Sequence, residues 1–221
     1  MKLYASLLSC DLLNIGGEIE ALVEAGIDGL HVDIMDGHFV HNIAFGIDAV
    51  KQICGAANLP VSVHMMVSKP AHFIKAITCD GVESIVVHCE IGNLPGVLKC
   101  IKEAGVGVGI AINPTTKVFE IVDYVEFIDT VCVMGVYPGF GGQAMVPGIT
   151  ERIGCVRSVC GANVEIAIDG GVNPSTTDLV KLCEADILIA GSYLFSGNSG
   201  NRVDNLKERI KALCHGVSKK L

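Results

Sequence analysis

The sequence predicts a single (β/α)8 barrel, and three observations carry that prediction. Eight short apolar runs, each four to eight residues and rich in Val and Ile, recur along the 221 residues, as strands buried on both faces should. Stretches of helical length lie between the runs, and eight βα units in about 220 residues are what one barrel with few insertions needs. No G-x-G-x-x-G follows the first run, which argues against the alternative, an open doubly wound sheet.

The runs are Leu3–Leu8, Gly29–Ile34, Val61–Met66, Ser84–Cys89, Val106–Ile112, Thr130–Val136, Val164–Ile168 and Asp186–Ala190. Helices are expected at Ile15–Ala25, Ile47–Cys54, Ala71–Thr78, Leu94–Ala104, Ile149–Cys160 and Ser175–Glu184, with a weaker helical pattern at Val118–Phe127 and a last helix at Val203–Cys214 before a frayed end. Several stop at or just before glycine, a common helix terminator. Asn173-Pro174-Ser175 reads as a helix start, with proline in the first turn. No linker or low-complexity segment divides the chain, so residues 1–221 are expected to form one catalytic domain.

Composition narrows the partners. The formal charge is −8 and the only paired basic residues are Lys219 and Lys220, which argues against nucleic acid. No apolar run approaches the 18 or more residues of a membrane span. The opening MKLYASLLSCDLL meets an aspartate before any small-residue cleavage site and is not expected to be a signal peptide. Ten cysteines sit singly in apolar segments with no C-x-x-C pair, so free thiols in a reducing cytoplasm are expected. The Asn-x-Ser/Thr triplets at Asn113 and Asn173 have proline in the middle and cannot be glycosylated. An anionic small molecule stays allowed, since backbone amides can hold a phosphate without net positive charge.

Barrel chemistry sits at the C-terminal ends of the strands. The polar residues interrupting those ends are Ser6, His31 with Asp33, His64, His88, Asn113 and Asp169. His31 and Asp33 alternate in one strand and so share a face. Converging from the second, third and seventh runs, His31, Asp33, His64 and Asp169 would make a four-ligand metal site. A single buried His is an ordinary core residue, but two unpaired aspartates in one apolar mouth would be strongly disfavoured. Imidazole plus carboxylate suits Zn²⁺, Mn²⁺, Fe²⁺ or Co²⁺; one divalent ion is the expected cofactor, with Zn²⁺ the first candidate.

Three glycine-rich segments follow the last three runs: Pro138-Gly139-Phe140-Gly141-Gly142-Gln143, Asp169-Gly170-Gly171-Val172 and Ala190-Gly191-Ser192. Glycine lets backbone N–H groups approach an oxyanion, and loops seven and eight commonly hold phosphate, so this is a barrel of the phosphate-binding TIM type. Asp36-Gly37-His38-Phe39 reads as a tight turn without a catalytic role. Met65 is expected in the core; Met35, Met66 and Met134 are either core or an apolar collar at the reacting centre.

These motifs resemble the ribulose-phosphate 3-epimerase family, from Ser6 to about Phe195. The likeness rests on Ser6-Leu7-Leu8-Ser9, the run His31 to Val40, His64-Met65-Met66-Val67, Val87-His88-Cys89-Glu90 and the three glycine-rich segments. It implies that His31, Asp33, His64 and Asp169 bind the metal and that Asp33 and Asp169 are the acid/base pair. It implies that Ser6 and His64 contact the sugar, and that Gly139, Phe140, Gly141, Gly142, Gly170, Gly171, Gly191 and Ser192 surround the substrate and its phosphate. The implied reaction is C3 epimerisation of D-ribulose 5-phosphate to D-xylulose 5-phosphate in the pentose phosphate pathway of the cytoplasm. The implied partner is a small sugar phosphate, with no nucleic acid or membrane partner, and a homo-oligomer is expected.

Inversion at C3 needs a proton removed from one face and returned to the other, which calls for two carboxylates. The chain departs from the family pattern at Ala5, His41, Met65, Gly135 and Tyr137. Gly135 and Tyr137 are expected to border the pocket, which leaves a six-carbon substrate, D-allulose 6-phosphate, as the alternative. Aldol or decarboxylation barrels usually call for a strand-end lysine, which is missing here. A non-catalytic sugar-phosphate-binding barrel is the alternative of another class.

Overall fold

Strands rich in Val and Ile need cover on both faces, and a closed sheet with helices outside supplies it. The computed structural model describes residues 1–197 and 201–214. Eight parallel strands are formed by β1 (Lys2–Ser6), β2 (Gly29–Asp36), β3 (Val61–Met66), β4 (Val82–His88), β5 (Gly107–Ile112), β6 (Thr130–Met134), β7 (Glu165–Asp169) and β8 (Ile187–Ala190). Each pairs with the next, and β1 pairs with both β2 and β8, which closes the sheet into a barrel. The helices are α1 (Ile15–Ala25), α2 (Ile47–Ala57), α3 (Ile74–Ile77), α4 (Leu94–Glu103), α5 (Ile149–Cys160), α6 (Pro174–Leu182), α7 (Ser192–Phe195) and α8 (Arg202–Cys214).

Strand alternation divides the core in two. One set, including Val32, Val63, Ile85, Ile110, Val131 and Ile168, faces the helices. The other fills the barrel: Tyr4, Val86, Ala111, Cys132, Met134, Ala167, Ile187 and Ile189. At the N-terminal end the Tyr4 hydroxyl donates to Glu83 at 2.6 Å, and Lys2 pairs with Glu165 at 2.9 Å. The last helix is held to the first by Arg202, whose guanidinium donates twice to Glu18 at 2.6 and 2.9 Å.

The predicted elements are present, with four differences besides the short α7, which was not expected. β1 ends at Ser6, and Leu7–Ser9 is a 3-10 turn that carries the chain over the barrel mouth. β2 runs on to Asp36 because Met35 and Asp36 pair with a short antiparallel strand, Ile43–Ala44, that the sequence reading lacked. The helix expected at Ala71–Thr78 is split into a 3-10 turn, Pro70–His72, and the single turn α3. Val118–Phe127 is a 3-10 run; its β-branched residues are poor α-helix formers. The frayed end and Lys219–Lys220 lie outside the described residues. Asn173 caps α6 as expected, its side chain accepting from Ser175 N and its N–H donating to Thr176 Oγ1. Among the described residues, no helix is long and apolar enough to cross a membrane. All ten cysteines are free thiols.

Gly135 ties β6 to the end of β7. Its N–H donates to the Asp169 carbonyl at 2.6 Å, and its carbonyl accepts from Val146 N at 2.8 Å. A Cβ at Gly135 would lie 2.3 Å from the Gly170 carbonyl oxygen, so no other residue fits without moving the backbone that carries Asp169. Gly135→Ala is therefore expected to cost about 1–3 kcal/mol through overpacking, read as a lower urea midpoint at unchanged slope. An unchanged midpoint would contradict this packing.

Candidate metal centre and active-site cleft

Register brings the polar strand ends together. Ser6 on β1 lies beside His31, and Asp33 on β2 lies beside His64 on β3. Asp169 ends β7, whose Cα partners are Met134 and Ile189. One ligand atom each from His31, Asp33, His64 and Asp169 lies within 4.8 Å of the others. Asp33 Oδ1 is 3.1 Å from His64 Nδ1 and 3.4 Å from His31 Nε2. Asp169 Oδ2 is 3.6 Å from His64 Nδ1 and 3.8 Å from His31 Nε2. The Ser6 hydroxyl donates to the other Asp33 oxygen at 2.8 Å.

Two observations test whether these residues fit a metal. Both ring nitrogens of His31 are buried without a hydrogen-bond partner, although Nε2 faces two carboxylates. An unsatisfied buried polar atom costs about 1–3 kcal/mol, and a coordinated ion would remove that cost for Nε2. The donor set is two imidazoles and two carboxylates pointing at a shared space, the composition that borderline divalent ions take. The residues fit a divalent metal. Cys132 lies in the barrel interior, but burial, and then the charges of Asp169 and Asp33, push its thiol well up, which disfavours a thiolate ligand.

The electrostatics follow from the same contacts. Burial alone would raise the Asp33 carboxyl, but the His31 and His64 rings outweigh it and hold Asp33 well below the usual carboxylate range. Burial would lower His64, but Asp169 and Asp33 outweigh it and raise the imidazole to about 9. Behind His64 a chain of contacts runs through the buried His88 to Glu90 at the surface. His64 Nε2 is 2.9 Å from His88 Nε2, and His88 Nδ1 is 3.1 Å from Glu90 Oε2. Burial lowers His88 despite Glu90. Burial would raise Glu90, but His88, the Thr116 hydroxyl and the Asn113 amide bring it to about 2.

Above the aspartates lies a cleft open to solvent. Ser6, Asp33, Asp169, Gly139, Phe140, Gly141, Gly142, Gly170, Gly171, Gly191 and Ser192 all line it, where the sequence reading put them. His31 and His64 are fully buried and do not line it, so the structure gives no cleft-facing surface through which His64 would contact the sugar. Gly135 and Tyr137, expected at the border, do not line it either; Tyr137 is half exposed, and its carbonyl accepts from Gln143. Met35, Met66 and Met134 form the collar, while Met65 packs in the outer core.

Sequence reasoning missed Ser9 and Gln143 as cleft residues. A Cβ at Gly141 or Gly191 would lie 2.8 or 2.9 Å from the Ser9 hydroxyl, so those glycines make room for it. Gln143 fastens the loop by donating to the Tyr137 and Phe140 carbonyls at 2.8 and 2.7 Å. Both residues stand inside quoted motifs, which was the only signal available. Asp36 is structural, as expected: it accepts from His38 N and Phe39 N on one oxygen and from Ser68 N and Oγ on the other.

Fold and site together define a class, a parallel (β/α)8-barrel protein with a histidine–aspartate cluster that fits a divalent metal at the C-terminal ends of the strands. The chain belongs to the ribulose-phosphate 3-epimerase family, whose model matches residues 2–195, and is an enzyme of the epimerase class of isomerases. It is 37% identical over 215 residues to a ribulose-phosphate 3-epimerase of Rhodobacter capsulatus, covering 96% of this chain and 94% of that one. It is 36% identical to that of Bacillus subtilis, covering 88% and 92%, and 32% identical to the cytoplasmic isoform of Oryza sativa, covering 95% and 94%. Among solved structures it resembles the tryptophan synthase α-subunit of Pyrococcus furiosus, with a TM-score of 0.70, 15% identity and 97% of each chain covered, a likeness of fold.

A metal on His64 Nδ1 must displace the proton that Asp33 and Asp169 hold there. Zn²⁺ binding at pH 7 is therefore expected to release about one proton, read by calorimetry in buffers of different ionisation enthalpy. Affinity should rise about tenfold per pH unit between about 6.5 and 9 and then level off. The sign is opposite for the stripped protein: the raised His64 stabilises the fold below pH 6.5, and this contribution is lost as pH rises through about 9. Affinity independent of pH in that window would contradict the assignment.

Proposed function

We propose that this chain catalyses metal-dependent epimerisation at C3 of a ketose phosphate, D-ribulose 5-phosphate to D-xylulose 5-phosphate, by two-base proton transfer through an enediolate. One observation carries the reading: Asp33 and Asp169 both belong to the metal-ligand cluster and both line the cleft beside the glycine-rich loops.

When bound, a divalent ion, with Zn²⁺ the first candidate, supplies Lewis-acid stabilisation of negative charge on the substrate oxygens. His31, Asp33, His64 and Asp169 would hold it. The ketone at C2 acidifies the C3 proton, and Asp33, kept ionised by its two histidine neighbours, takes it. Asp169 enters this direction protonated, gives its proton to the other face and ends ionised while Asp33 ends protonated; the reverse reaction exchanges the roles. The aspartates rise from β2 and β7, which are not neighbours in the barrel, so they reach the cleft from different directions. Ser6 donates to Asp33 and fixes the orientation of that carboxylate. Backbone N–H groups of the segments at Gly139–Gly142, Gly170–Gly171 and Gly191–Ser192 are the proposed phosphate donors, a role that suits an acidic chain. The collar of Met35, Met66 and Met134 shields the reacting carbon from water.

The pentulose is preferred because relatives that match over most of the chain are named ribulose-phosphate 3-epimerases. A cytoplasmic location belongs to the same proposal, supported by the ten free thiols and by the rice relative's name.

Asp33→Asn and Asp169→Asn are each expected to lower epimerisation by at least about 10²–10⁴-fold, the usual worth of a general acid or base. In D2O, a variant that exchanges the C3 proton without inverting the carbon would support two bases; a fully active single variant would overturn the mechanism. A kcat/KM higher for D-allulose 6-phosphate than for D-ribulose 5-phosphate would overturn the substrate.

A further inference from the structure

We infer that Glu90 and His88 form a tautomer relay that presents the Nδ1 lone pair of His64 to the metal site, which makes both of them positioning residues. The inference rests on the metal reading above, and it concerns which nitrogen carries which proton.

The relay starts at Glu90. One of its oxygens accepts from Asn113 N at 2.9 Å and from the Thr116 hydroxyl. Arg152 holds that turn by donating to the Asn113 and Thr116 carbonyls. With one oxygen committed to two donors, the carboxylate offers His88 only an acceptor, 3.1 Å from Nδ1. His88 must therefore carry its proton on Nδ1, which leaves Nε2 as an acceptor. His88 Nε2 faces His64 Nε2 at 2.9 Å, a distance that admits one proton between them, so His64 carries it. With Nε2 committed to His88, Nδ1 is the nitrogen that gives its lone pair toward the space shared with His31, Asp33 and Asp169 once the proton it shares with Asp33 leaves.

The surroundings protect this order. His88 and His64 are fully buried, and the Phe39 ring packs on His88 at 4.7 Å. Glu90 itself is reached by solvent, and its orientation is held by the Asn113 amide, the Thr116 hydroxyl and His88. A carboxylate behind a ligating histidine is a general device for fixing ring orientation. Here the carboxylate acts through a second imidazole, and it lies one strand end away from the ligand it controls.

Glu90→Gln separates hydrogen-bond direction from shape. The amide oxygen must accept from Asn113 N, so the NH2 group turns to His88 Nδ1 and calls for an acceptor there. His88 then moves its proton to Nε2, two N–H groups would meet at the His88–His64 contact, and His64 gives up its Nε2 proton, so that its one remaining proton sits on Nδ1 and is displaced by the metal less readily than in the wild type. The experiment is ¹⁵N NMR of histidine-labelled full-length protein, zinc-loaded and chelator-stripped, with Zn²⁺ affinity measured by competition with a chromogenic chelator. The wild type is expected to show His88 as the Nδ1–H tautomer in both forms and His64 with a proton on Nε2. E90Q is expected to lose both signatures and to bind Zn²⁺ about 10–100-fold more weakly. A wild-type His88 protonated on Nε2 would overturn the relay, as would an E90Q protein with unchanged tautomers or with Zn²⁺ affinity within twofold of the wild type. Because the tautomers are read on the wild type, the test holds even where E90Q fails to fold. A wild type that binds no Zn²⁺ would overturn the metal reading and this inference with it; wild-type tautomers intact in that protein would place the failure at the metal.

Discussion

Two carboxylates and two imidazoles share one buried pocket at the end of the barrel, and much of the structure follows from that constraint. Taking a carboxylate out of water costs several kcal/mol even after relaxation, and two in one mouth repel each other. The arrangement survives because both carboxylates face the two imidazoles. Asp33 is flanked by His31, His64 and the Ser6 hydroxyl, and Asp169 by the same two rings. What stays unsatisfied is His31, whose Nε2 faces the two carboxylates without a hydrogen bond, an arrangement that fits a divalent cation.

Closure of the sheet makes this geometry possible. Parallel pairing of β1, β2 and β3 puts Ser6 beside His31 and Asp33 beside His64. Asp169 arrives from the far side of β8 and β1, held by the Gly135 N–H on its own carbonyl. Gly135 matters because its missing side chain lets its backbone lie against the Gly170 carbonyl, and Gly170 leaves room for the Val136 side chain. The same economy recurs at Gly141 and Gly191 around the Ser9 hydroxyl. Rigid strands position the reacting groups while short glycine-containing loops shape the cleft, the usual division of labour in barrel enzymes.

The site has depth as well as a surface. Asp33 and Asp169 line the cleft, His31 and His64 stand behind them, and His88 and Glu90 stand behind His64. Asp36, so close to the ligands in sequence, takes no part: its four hydrogen bonds join the loops after β2 and β3. Depth of this kind is poorly visible in a sequence, where His88 and His64 look equally fit to touch a ligand.

The sequence by itself determined the barrel, because eight Val- and Ile-rich runs need cover on both faces and the spacing leaves room for one helix after each. It also determined the four metal-ligand candidates, since His31 and Asp33 are two apart on one strand and charged groups at strand ends need a purpose. The glycine-rich loops were legible for the same local reason. Only the tertiary structure decided that His64 is sealed from the cleft, that Gly135 and Tyr137 lie off it, and that Ser9 reaches into it. It alone brought Glu90, Asn113, Thr116 and Arg152 around His88. The physical reason is that strand alternation is local, with a period of two residues, whereas depth and hydrogen-bond partnership depend on register between strands and on loops whose close approach is set by packing.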